Sequence, residues 1–67
     1  MEFKTVRTSN INGYGVWLYA ASLPIGTIYI VEWEGVGKQI HRTIIDENGE
    51  KALRLYYKAS KTLLSTI

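Results

Sequence analysis

Asp46-Glu47-Asn48-Gly49-Glu50-Lys51-Ala52-Leu53-Arg54-Leu55-Tyr56-Tyr57-Lys58 decides the fold, because two continuations compete at its start. Asn48-Gly49 suits a type I′ hairpin turn into a fifth strand. Leu53, Leu55 and Tyr57 do alternate with Arg54, Tyr56 and Lys58. The helical pattern fits better and runs longer. Lys51, Arg54, Lys58, Lys61 and Ser65 recur at spacings of 3, 4, 3 and 4. At about 100° per residue they fall on one arc. Leu53, Tyr56, Tyr57, Leu63, Leu64 and Ile67 fall opposite, with Ala52, Ala59 and Ser60 beside them and Leu55 out of place. Asp46, Glu47 and Glu50 sit at the amino end, and only basic residues carry charge afterwards. Both features suit the helix dipole. The spacing predicts a helix over 47–65, capped by Asp46 or Asn48. On this arc Leu64→Asp puts a charge in the core, whereas Lys58→Glu stays in solvent.

Upstream, turn signals divide the chain evenly. The run 10–15 (NINGYG) holds two Asn and two Gly and reads as a loop. Leu23-Pro24-Ile25-Gly26 reads as a type I turn. Glu34-Gly35-Val36-Gly37-Lys38 reads as a short hairpin connection. Four strands are expected between them, over 2–9, 14–21, 27–34 and 38–46. They are rich in β-branched and aromatic residues, which suit a pleated surface. The expected fold is α+β: a small antiparallel meander of three to four strands packed by one C-terminal amphipathic helix. One small domain, 1–67, is expected from the length.

Alternation within the strands adds a constraint. Val16 and Leu18 point opposite to Trp17 and Tyr19, and Ile28 and Ile30 opposite to Tyr29, Val31 and Trp33. Both strand faces are apolar. A helix of about 19 residues, about 28 Å long, covers one face only. The other face must close a barrel, pair with a second copy or bind something.

Composition narrows the function classes. The chain is 46% hydrophobic and 21% charged, carries a formal net charge of +2 and has no Cys. Disulfides and thiolate metal sites are excluded. No apolar run approaches the ~18–20 residues of a membrane span, and residues 1–4 (MEFK) lack a leader pattern, so a cytoplasmic location is expected. Catalysis is poorly supplied. The single His, His41, lies mid-strand beside no nucleophile motif. Glu32 and Glu34 share one strand face without further ligands. Gly13-Tyr14-Gly15 and Gly35-Val36-Gly37 are turn glycines rather than phosphate loops. No enzyme activity, metal or cofactor is expected.

The cations and aromatics support binding. Lys4, Arg7, Lys38 and Arg42 are strand-borne cations suited to phosphates or base edges. Tyr14, Trp17 and Trp33 are candidates for stacking or for an interface. A small nucleic-acid-binding regulator, of DNA in the first instance, is therefore expected. The alternative is a protein-interaction module, an inhibitor or adaptor of the phage or mobile-element kind, whose aromatic sheet face meets a partner or pairs as a homodimer. The charges beside the exposed aromatics discriminate: Lys and Arg favour nucleic acid, whereas Glu32 and Glu34 favour protein.

The run 29–33 (YIVEW), a glycine turn, 38–45 (KQIHRTII), then Glu50-Lys51-Ala52-Leu53 and Tyr56-Tyr57-Lys58-Ala59, resembles AP2-like arm-type DNA-binding modules of mobile-element integrases. The resemblance covers about residues 14–61. It implies a three-stranded sheet entering the major groove, braced by the helix. The chain departs from it in a fourth strand and in Glu32 and Glu34, which place negative charge where the sheet would meet phosphates.

Overall fold

A computed structural model describes residues 2–65. It contains the strands β1 (Lys4–Ile11), β2 (Tyr14–Leu23), β3 (Gly26–Glu34) and β4 (Ile40–Asp46), followed by the helix α1 (Gly49–Ser65). The strands pair antiparallel in the order β1-β2-β3-β4, and the helix lies on one face of this meander. The α+β architecture expected from the pattern is the one observed. The molecule is elongated, 42 × 20 × 15 Å. Among the described residues no helix is long and apolar enough to cross a membrane.

Turn chemistry sets the strand ends. Asn12 and Gly13 both take positive φ, 55° and 86°. That is the geometry of a two-residue type I′ hairpin, so β1 and β2 pair up to Ile11 and Tyr14 rather than breaking into a six-residue loop. Pro24-Ile25 closes the next hairpin, with Leu23 opposite Gly26. After β3 the chain makes a single 3-10 turn over Val36–Lys38. Lys38 has φ 63°, so β4 cannot begin there and starts at Ile40. Glu47 has φ 54°, and its N–H still donates to the Thr27 carbonyl at 2.8 Å. The ladder therefore outlasts β4, and the helix starts at Gly49 rather than at residue 47. Asn48 is the cap: its Oδ1 accepts the Lys51 N–H at 2.9 Å.

The helix covers the face formed by Val16, Leu18, Val31 and Ile45, all buried. Its own contact line is Ala52, Tyr56, Ala59 and Leu63, spaced 4, 3 and 4 and at most 5% exposed. Leu53 and Leu55 pack on its two flanks. This corrects the arc expected from periodicity. Tyr57 and Leu64 are 51% and 60% exposed, and Leu55 joins the core. Ile67 lies outside the described residues. The cause is steric: Ala52 and Ala59 let the helix lie close to the sheet, and that turns the bulkier neighbours outward. Tyr56 donates to or accepts from Ser9 Oγ, tying the helix to β1.

Candidate functional site

The register sorts every strand residue onto one face. Val16 opposite Trp33, Leu18 opposite Val31 and Tyr29 opposite Ile45 lie under the helix. Their alternates lie on the uncovered side: Trp17 and Tyr19 on β2, Ile28, Ile30, Glu32 and Glu34 on β3, Ile40, Arg42 and Ile44 on β4. An antiparallel sheet with one solvated face ordinarily shows polar residues there. This one shows isoleucines and aromatics. Ile40 and Ile44 are 56% and 62% exposed, and Trp17, Tyr19, Ile28 and Ile30 are half-buried. Phe3, Tyr19, Ile30, Glu32 and Arg42 line a shallow hollow of about 340 Å³ in this surface.

Its charges are mostly acidic or already satisfied. Arg42 Nε donates to Glu32 Oε2 at 2.6 Å. Trp17 stands directly opposite Glu32. Its indole lies over Gly15, where a side chain would collide with it, and Glu34 Oε1 accepts the Gly15 N–H at 2.7 Å. Trp17 is thus flanked by two carboxylates. Burial, and then Glu32, push the Tyr19 phenol above the usual tyrosine range, with Arg42 opposing.

The sequence candidates do not converge on one surface. Of the four cations, only Arg42 is on the uncovered face, and it is bound to Glu32. Arg7 is on the other edge strand, its guanidinium 5.9 Å from the Tyr57 ring centroid. Lys4, also on β1, is opposite Ala20. Lys38 lies 4.6 Å from the Tyr14 ring centroid and donates to the Gly13 carbonyl, so it joins the two turns at one end of the sheet. Of the aromatics, Trp17 is on the uncovered face. Tyr14 and Trp33 pack against the core on the helix side, and Trp33 stacks on His41 with centroids 5.4 Å apart.

Two features escaped the sequence reading. Ile40, Ile44 and Phe3 belong to the uncovered surface, and strand parity alone could have placed the two isoleucines there. The other is a groove of about 470 Å³ between β4 and the helix, lined by Thr43, Lys51, Arg54 and Lys58 over Leu55. It brings three members of the helical cation row to a sheet edge. Among the described residues no three His, Asp or Glu side chains form a metal-binding arrangement.

Comparison with family models, with curated proteins and with solved structures found no match, so the likeness to AP2-like arm modules stands on the residues alone.

Proposed function

We propose that this chain is a protein-interaction module whose contact surface is the uncovered sheet face. One observation carries the proposal: this face is apolar at its centre, and its strand-borne charges are Glu34, Asp46 and the Glu32–Arg42 pair rather than open cations. Contiguous exposed apolar surface on a small domain marks a contact site, and tryptophan and tyrosine are favoured in such contacts. Acidic groups beside Trp17 disfavour a phosphate backbone and are compatible with a protein partner.

The test uses a variant with Ile30→Thr and Ile40→Thr. Both changes keep β-branched side chains, which strands accept, while reducing apolar surface. Light scattering on wild type and variant reports pairing with a second copy. Retention of proteins on the two immobilised chains reports a different partner. An interaction present in wild type and lost in a folded variant supports the proposal. Identical behaviour of the two chains refutes it.

A nucleic-acid-binding regulator is the second reading. Its support is Lys51, Arg54 and Lys58, exposed along the helix, since Arg42 is bound to Glu32 and Lys38 to the Gly13 carbonyl. It requires that affinity for duplex or single-stranded DNA fall linearly with salt on logarithmic axes. A mobility-shift titration without binding at low salt removes it.

A further inference from the structure

We propose that the outer edge of β4, with the cationic groove beside it, receives an extended acidic segment of a partner protein. This site uses the β4 backbone edge and the helix cations and shares Ile44 with the uncovered sheet face; charge reversal on the helix tests it without touching that face.

β4 ends the sheet, and its outer side pairs with no strand among the described residues. The direction of its backbone groups follows from the bonds at its two ends. Gly35 N–H donates to the Gln39 carbonyl at 2.7 Å, and Glu47 N–H donates to the Thr27 carbonyl at 2.8 Å. In an antiparallel ladder, hydrogen-bonded pairs recur at every second residue. His41, Thr43 and Ile45 therefore turn their N–H and C=O groups towards β3. Ile40, Arg42, Ile44 and Asp46 turn theirs outward. An added strand would find these groups in regular order.

Edge strands are ordinarily protected by bulges, prolines or covering elements. β1 has such a device, a break in register between Thr5 and Arg7. β4 pairs with β3 through seven consecutive residues without an irregularity. It contains no proline.

Charge selects the occupant. On the helix side the edge is overlooked by Lys51, Arg54 and Lys58, with Asp46 also lining the groove. An antiparallel two-fold pairing of β4 with a second copy would bring two such cation sets together, which like-charge repulsion opposes. A partner strand with acidic residues at alternate positions would put a carboxylate towards the cations about every 6.8 Å. Lys51 to Lys58 spans about 10.5 Å along the helix axis, so two or three alternate acids match the row. The intervening residues of that strand would extend the Ile40 and Ile44 surface and would be apolar. Main-chain bonds would supply affinity and the alternation would supply selectivity.

The experiment uses the whole chain and a labelled peptide of about eight residues alternating Glu and Val. Binding is followed by fluorescence anisotropy, and amide hydrogen exchange by NMR. The expected result is binding that weakens with salt, with new protection at the Arg42 and Ile44 amides. Arg54→Glu with Lys58→Glu, both at exposed positions, should weaken it by about ten-fold or more. Ile44→Pro deletes an outward-facing N–H without removing a bond to β3 and should abolish it. If Ile44→Pro does not fold, the charge reversal alone decides. Equal binding of an alternating Lys and Val peptide overturns the proposal. So does unchanged affinity on charge reversal, or the absence of new protection at Arg42 and Ile44. Displacement of the peptide by a lower concentration of a single-stranded DNA oligonucleotide also overturns it and assigns the groove to nucleic acid.

Discussion

Arg42 and Glu32 are cross-strand neighbours on the uncovered face of the sheet, with Arg42 Nη2 and Glu32 Oε2 2.6 Å apart. The pairing sets the electrostatic character of that face. A cation expected to grip phosphate is held by a carboxylate of its own sheet, and the rest of that face is apolar or acidic on β2, β3 and β4 and neutral polar on β1, at Thr5, Thr8 and Asn10. The side chains are 61% and 15% exposed, so solvent screens the pair from the arginine side.

Arg42→Ala should therefore cost stability only modestly, about 1 kcal/mol or less, as for other surface ion pairs. The loss should shrink as salt rises, because the charges are screened. Thermal melts at low and high salt measure both effects. A loss of several kcal/mol, insensitive to salt, would mean that the pair behaves as a buried one.

The helix contact line makes a contrast between adjacent leucines. Leu63 is 5% exposed and Leu64 is 60% exposed. Leu63→Asp puts an unpaired charge in the core and should unfold the domain. Leu64→Asp should cost about 1 kcal/mol or less, as exposed substitutions usually do. Circular dichroism melts of the two variants would contradict the helix orientation if Leu64→Asp were the more damaging.

How much of this was legible in the sequence follows from particular residues. Strand alternation separated Trp17 and Tyr19 from Val16 and Leu18 correctly, since a period of two leaves no ambiguity. The helix pattern identified α1 but rotated its core. Periodicity weighs Tyr57 and Leu64 by hydrophobicity, whereas close approach to the sheet is decided by the small Ala52 and Ala59. Asn12-Gly13 is a strong hairpin signal, yet it lies inside a run of Asn and Gly that looks like a longer loop. The cation row was visible as spacing. Its position beside the β4 edge was not, because it depends on which sheet face the helix covers. The Arg42–Glu32 pair depends on cross-strand register, which sequence spacing leaves open.

Tyr19 links the uncovered face to pH. Its phenol is raised above the ordinary tyrosine range by burial first and by Glu32 second, with Arg42 lowering it. The folded state therefore favours the neutral phenol. That contribution is fully present below the unfolded value of about 10 and is lost as pH rises through the raised folded value. Denaturant melts across the alkaline range should show stability falling there, with a smaller fall in Tyr19→Phe. Identical pH profiles for wild type and Tyr19→Phe would contradict this.

The central claim is that the uncovered sheet face contacts protein. The most direct measurement places a photo-crosslinking amino acid at Ile40, and separately at exposed Tyr57 on the helix side, in the full chain. Each chain is irradiated in a nuclease-treated extract of the cells that make it. The account predicts a discrete protein adduct, to a partner or a second copy, from position 40 that is absent from position 57 and lost on Ile30→Thr. Equal adducts from both positions, or none from position 40, would contradict it.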